Sequence, residues 1–343
     1  MGTMSSCVLT AEKIMNTTAA PAEALWQTVS PHRCYLGESP CWHPQEQMLY
    51  WVDIPGKQVL RANVYMGSVE TWDLPTEPGC IAPASAGGLV LALRDGIFRA
   101  DTWGGPLQQI ARLDINPANT RANDGKCDTQ GRFWVGTMDE TRQLKNAALY
   151  CVDARGPGQP RVDCKVAPSW DKTTANGLAF SADDRTLYWG DSSSHTVWAW
   201  DFDATTANMA QQRPFIEVPA KPAGWQPLDA GYGGRPDGAT VDAQGNYWVA
   251  MYEGQRVCQF APDGSLLATL PTPLLCPTMV CLGGEDLKTL YVTSAGLHRS
   301  TAEQVAYPLS GTVLSIRVEV AGLPVNFFHD APGTGTAKIR PGC

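Results

Sequence analysis

Leu49-Tyr50-Trp51-Val52-Asp53 is a short apolar and aromatic run of the kind that suits a buried strand, and it returns in altered form along the whole chain. The copies are Leu89-Val90-Leu91-Ala92-Leu93, Phe133-Trp134-Val135-Gly136, Leu187-Tyr188-Trp189-Gly190-Asp191, Tyr247-Trp248-Val249-Ala250 and Leu290-Tyr291-Val292-Thr293. With 51, 91, 134, 189, 248 and 292 as reference positions, the spacings are 40, 43, 55, 59 and 44 residues, a period that points to propellers or solenoids.

Working outward from each copy, turn residues precede it: Asp128-Thr129-Gln130-Gly131, Ser181-Ala182-Asp183-Asp184 and Asp242-Ala243-Gln244-Gly245 read as hairpin turns. A third strand follows at Val59–Val64, Ile97–Asp101, Ala148–Asp153, Thr196–Phe202 and Arg256–Ala261, and a fourth at, for example, Ser68–Leu74 and Ser265–Leu270. Four antiparallel strands per unit make a propeller blade, so six copies predict an all-β, six-bladed β-propeller of four-stranded blades around a central channel. The sixth blade takes Pro277–Leu282, Leu290–Ser294 and Gly311–Val320, and its outer strand is expected from Trp26–Cys34, which closes the ring. Residues 1–25 then form an N-terminal extension, and 26–343 a single domain, with long loops at 139–147, 164–175 and 219–235.

Composition agrees. Twelve Trp, ten Tyr, 33 Gly and 26 Pro in 343 residues favour strands and turns, and no long stretch keeps helical apolar spacing. A net charge of −8 without a Lys/Arg cluster argues against a nucleic-acid partner. The first 25 residues do not read as a signal peptide and no apolar stretch is long enough to span a bilayer, so the expectation is a soluble cytoplasmic protein, a monomer or weak oligomer, with no membrane partner. The eleven Cys are irregularly spaced, with no CxxC pair, and read as free thiols.

Counting back from the aromatic strands locates a polar set. Glu38 and Asn176 lie 13 residues before Trp51 and Trp189; Asn123 and Asp237 lie 11 before Trp134 and Trp248. The spread of two is expected from turn length. All four fall at the start of the first strand of a blade, the strand that lines the channel, so an acid, two amides and another acid should converge at one mouth. Glycines just after three of them suit the close backbone approach of a crowded axis. Carboxylate and amide oxygens suit a hard divalent cation, and no His falls in this register.

The stretches Leu36-Gly37-Glu38-Ser39-Pro40-Cys41-Trp42, Arg121-Ala122-Asn123-Asp124-Gly125-Lys126-Cys127-Asp128, Gly131-Arg132-Phe133-Trp134-Val135-Gly136-Thr137-Met138, Asn176-Gly177-Leu178-Ala179-Phe180-Ser181 and Pro236-Asp237-Gly238 occur in this order. Together they resemble the SMP-30/gluconolactonase/LRE family of regucalcin-like sugar lactonases over about residues 33 to 320. The resemblance implies a six-bladed propeller holding one divalent metal (Ca²⁺, Mg²⁺, Mn²⁺, Zn²⁺ or Fe²⁺) on Glu38, Asn176 and Asp237. It places substrate-contacting residues on Arg121 and Asn123, of which Arg121 rests on the resemblance alone. After the Gly-Thr-Met motif, where the family often carries an acidic pair, this chain has Asp139-Glu140-Thr141, and no substrate contact is assigned there.

The implied activity is metal-dependent hydrolysis of an aldonolactone, such as glucono-, xylono-, arabino- or galactonolactone, to the aldonic acid. Asp237 is the candidate catalytic proton acceptor, with Asp124 and Glu38 next in line. Ser39 and Ser181 make no serine-hydrolase site, because no G-x-S-x-G motif is present. The alternatives are a calcium-binding regulatory propeller without turnover, a protein-interaction propeller, or a propeller esterase acting on another ester.

Overall fold

The computed structural model describes residues 26–296 and 298–330; the expected extension at 1–25 lies outside the described residues. Six four-stranded antiparallel sheets stand around one axis, and five of them follow chain order from the innermost strand outward. The innermost strands are Gly37–His43, Pro78–Pro83, Thr120–Cys127, Ala175–Phe180, Arg235–Val241 and Pro277–Gly283. The six-bladed propeller read from the repeat is what the chain forms.

The sixth sheet takes its outermost strand from the other end of the chain. Gln27–Ser30 pairs with Val313–Arg317, with Gln27 opposite Ser315, so the ring is closed as expected from Trp26–Cys34. The third strand of that blade is shorter than the expected Gly311–Val320. Before it, residues 298–312 run as a loop and a one-turn helix, Thr301–Ala306, held by a capping box between Ser300 and Glu303.

Burial grades outward through each blade. Innermost strands such as Pro78–Pro83 are buried throughout, whereas the outermost Ser68–Asp73 and Leu266–Pro271 face solvent along most of their length. The core is therefore divided into clusters between neighbouring blades. Trp134 and Trp189 pack with Phe180, Trp200 and Phe202 between blades three and four, and Trp51 packs with Trp42 and Tyr291 between blades six and one. Each blade needs both neighbours to bury its faces, which makes closure of the ring a condition of stability.

The expected turns work through their aspartates. Asp128 accepts the backbone N–H groups of Gln130 and Arg132 on one oxygen and the Trp134 indole N–H on the other, at 2.8 Å. Asp242 repeats this with Gln244, Asn246 and Trp248. The glycine of each turn is left-handed, with φ of +83° at Gly131 and +84° at Gly245. All nine cysteines among the described residues are free, and no described helix is long and apolar enough to cross a membrane.

Candidate active site

Every innermost strand carries one extra residue relative to its neighbour near the end where it begins. Such bulges bend a strand and re-aim its side chains, and here they flank the polar set. Glu38 pairs with Val52 and Asn176 with Gly190, each the last paired residue before its bulge. Asn123 and Asp237 lie inside theirs, directly after Ala122 and Pro236. This corrects the expected origin of the two-residue spread. Turn length does not produce it, since the hairpin from the last paired residue before the bulge to its partner is longer in blades three and five (Ala122 to Thr137, Pro236 to Met251) than in blades one and four (Glu38 to Val52, Asn176 to Gly190), the reverse of the spread. The reference Trp stands one residue short of the pairing position in blades one and four, and three residues short in blades three and five.

The glycines act as expected. A Cβ on Gly238 would stand 2.3 Å from Cγ of Met279, and one on Gly125 would stand 2.4 Å from Sγ of Cys80, so a larger residue would push neighbouring inner strands apart.

Glu38, Arg121, Asn123, Asn176 and Asp237 all line one cavity of about 270 Å³ at this mouth. A cavity of about 290 Å³ lies at the other ends of the same strands, bordered by Trp42, Lys126, Phe180 and Met279, and none of the five residues reaches it. A relay of hydrogen bonds crosses three blades at the polar mouth. Arg121 donates to Oδ1 of Asn123 at 2.7 Å, and Nδ2 of Asn123 donates to Oδ1 of Asn176 at 3.0 Å. Nδ2 of Asn176 then donates to Ser192 at 2.8 Å, whose hydroxyl donates to the Pro236 carbonyl at 2.6 Å. The relay fixes both amide orientations and ends one residue from Asp237.

The floor of the cavity brings two buried carboxyls into each other's field. Burial, then the neighbouring charges of Asp237 and Asp124, raise the Glu38 carboxyl well above the usual carboxylate range. Burial likewise raises Asp237; the nearby Arg235 opposes the shift and Asp124 adds to it. Oδ1 of Asp237 is buried with no hydrogen-bond partner among the described residues. Two buried carboxylates, one with an orphaned oxygen, beside a fixed amide oxygen form a donor set that fits a hard divalent cation. His32, Cys34 and Asp53 also bring ligand atoms within 4.8 Å of one another, outside this cavity. There the Asp53 oxygens already accept the N–H groups of Tyr35 and Leu36, at 2.9 and 3.0 Å, so that carboxylate braces a turn.

Asp124 is not placed to act on a ligand in the cavity. Its Oδ2 accepts the Leu178 N–H at 2.7 Å, and although its Oδ1, like that of Asp237, is buried with no partner among the described residues, it does not line the cavity.

With the geometry in hand, comparison with known proteins places the chain. Residues 36–296 match the family described as the SMP-30/Gluconolactonase/LRE-like region. The chain belongs to that family. It is 38% identical to the 6-deoxy-6-sulfogluconolactonase of Pseudomonas putida over 295 residues, covering 85% of this chain and 94% of that one. It is 32% identical to regucalcin of Danio rerio, covering 84% and 93%. Among solved structures it is similar to a calcium-binding regucalcin from Agrobacterium tumefaciens, with a TM-score of 0.78, 25% identity and coverage of 88% and 96%.

Within this SMP-30/gluconolactonase chain, several cavity residues escaped the register count. Ser192 follows the aromatic strand of blade four, Arg235 immediately precedes Pro236-Asp237, and Arg142, His195, Lys221 and Tyr252 also line the mouth. Only Arg235 carried a local signal, its position in an inner strand two residues before Asp237. The Asp139-Glu140 pair divides its roles. Buried Asp139 accepts N–H groups of Thr141, Leu144 and Lys145 and so shapes its loop, while Glu140 takes Arg94 at 2.7 Å and Arg121 at 3.4 Å. Glu140 thereby holds the Arg121 guanidinium, whose own charge burial disfavours.

Proposed function

We propose that the protein is a lactonase that hydrolyses a sugar lactone to its aldonic acid with one divalent cation held by Glu38, Asn176 and Asp237. The observation that carries this reading is the buried, orphaned oxygen of Asp237 beside the raised carboxyl of Glu38, under an arginine-lined cavity. Lactonases among its relatives support it, as does the calcium-binding regucalcin of the same fold. We place it in the cytoplasm as a monomer or weak oligomer.

When bound, the cation supplies Lewis acidity toward the lactone carbonyl and lowers the pKa of a water. Arg121, fixed by Asn123 and Glu140, donates hydrogen bonds to the substrate oxygens, and Asn123 adds a polar edge beside it. Asp237 accepts a proton from the attacking water. The water oxygen bonds to the carbonyl carbon, the ring C–O bond breaks, and the departing oxygen takes a proton to become the hydroxyl of the aldonic acid. The test is an initial-rate assay on an aldonolactone panel after chelation and after restoring each candidate cation. Turnover lost on chelation and regained with a cation is the expected result. Cation binding with no hydrolysis of any lactone would leave a binding propeller instead.

The carboxylates set a pH dependence that checks the ligand set. Both native pKa values lie above their unfolded values of about 4, so the folded apo protein holds these protons more tightly. That contribution to stability is complete below the unfolded pKa and is lost as pH rises through the native values. A divalent cation replaces those protons, so the Tm rise it produces should be larger at pH 8 than at pH 5. Glu38→Gln, Asn176→Ala and Asp237→Asn should each weaken cation binding by calorimetric titration. Full affinity in all three variants, or a Tm rise that shrinks with pH, would remove this ligand set.

A further inference from the structure

We infer that the preferred lactone carries an anionic group remote from the reacting carbonyl (a sulfonate, phosphate or carboxylate), received at the cavity rim by Arg142 and Lys221. The inference rests on the lactonase reading above and specifies its substrate class.

The cavity is lined by four permanent cations, Arg121, Arg142, Lys221 and Arg235, against two carboxylates, Glu38 and Asp237. A divalent cation on the floor neutralises those two. Behind the wall, Arg121 and Arg94 share Glu140, and Arg94 also meets Glu77 at 2.8 Å, so two cations there are balanced by two carboxylates. The rest of the rim is not balanced. Lys221 and Arg235 both engage the single carboxylate of Glu253, at 2.7 and 2.6 Å. Arg142 has no ion-pair partner among the described residues. Two positive charges therefore face the loaded cavity unmatched. A neutral aldonolactone has nothing to offer them, whereas a lactone with an anionic tail matches them by charge-assisted hydrogen bonds.

Both cations are presented by built structure. Arg142 sits at φ +56° in the loop braced by Asp139, and its N–H donates to the Asp139 carbonyl at 3.1 Å. The ammonium of Lys221 is held over the rings of Trp225 and Tyr232, at 5.0 and 5.7 Å from their centroids. Tyr232 is fixed in turn by His195 at 2.8 Å. In chain order around the mouth, the wall between the two cations is supplied by blade four, where Thr174 and Ser193 offer hydroxyls. These two loops, 140–148 and 218–234, are long insertions between strands at this mouth. The reacting carbonyl is assigned to the channel floor, so a group bound at the rim lies at the other end of the sugar.

The experiment compares kcat/KM for D-glucono-1,5-lactone with that for its 6-phospho, 6-deoxy-6-sulfo and 6-carboxylate counterparts, at saturating cation and low salt. We expect the anionic lactones to be preferred by roughly 10- to 100-fold, as hydrogen bonds to charged groups allow. The preference should shrink as salt screens the rim. In the double variant Arg142→Ala/Lys221→Ala, the ratio of anionic to neutral kcat/KM should collapse toward one. The best anionic arm identifies the head group. Equal rates on neutral and anionic lactones, or a ratio unchanged in the double variant, overturn the inference and leave the lactonase reading standing. No hydrolysis of any lactone in the panel overturns that reading and this inference with it.

Discussion

Asp237→Asn should reduce kcat by on the order of 10²–10⁴-fold, the usual worth of a positioned general base, even when excess cation fills the site. An amide still offers one oxygen to a cation, but it cannot accept a proton from water near neutral pH. Asp237 lies in the bulge of the blade-five inner strand, with its Oδ1 free of any partner among the described residues, so the substitution removes a function without removing a hydrogen bond that holds the fold. Arg121→Ala provides the contrast: a kcat/KM loss of about 10²–10³-fold with near-normal cation affinity, because the lost group is an oriented donor to substrate. The deciding measurement is a rate at saturating cation on both variants. Cation-loaded Asp237→Asn turning over as fast as the wild type would move the proton role to Glu38, which lines the cavity where Asp124 does not.

Asp128→Ala should cost about 3–5 kcal/mol of stability, the range for breaking a buried ion pair by removing one partner. Asp128 and Arg132 are each only 1% exposed, and Nε of Arg132 donates to the carboxylate at 2.6 Å. The alanine variant strands a guanidinium and the Trp134 indole N–H inside the blade. Asp242→Ala is the control. Asp242 has the same place in blade five but pairs with the neutral amides of Asn246 and Gln259, so its loss leaves no buried cation and should be milder. Chemical denaturation of both variants measures the difference. Equal midpoints would show that the turn, rather than the charge pair, accounts for the effect.

The fold was legible because each blade repeats one aromatic strand behind one turn, and the number of copies equals the number of blades. Four of the five proposed site residues were legible from register for the same reason. What register could not supply is the direction of adjacent side chains inside a bulge. Asn123 and Asp124 are neighbours in sequence, yet Asn123 enters the cavity while Asp124 turns to the Leu178 amide. The rim was also out of reach. Arg142 and Lys221 lie on loops with no period, and only the folded loops bring them to the cavity that holds Glu38.

The clasp between Gln27–Ser30 and Val313–Arg317 has a kinetic consequence. Its partners are separated by 288 residues, and joining the ends of an open chain of that length would cost about 5 kcal/mol in loop entropy alone. Hairpins within a blade close over a handful of residues, so they form first and at little entropic cost. Once the intervening blades have assembled, they bring the two ends together, and the long-range join loses most of its penalty. Until then the Val313–Arg317 edge stands open, and a second copy of the chain can offer its own Gln27–Ser30 to it, an exchange that concentrated refolding would promote. Trp26, whose indole donates to the Pro271 carbonyl at 2.8 Å, lies beside the clasp and so reports on the step. On this order, the first of the described strands in the chain is the last to be seated.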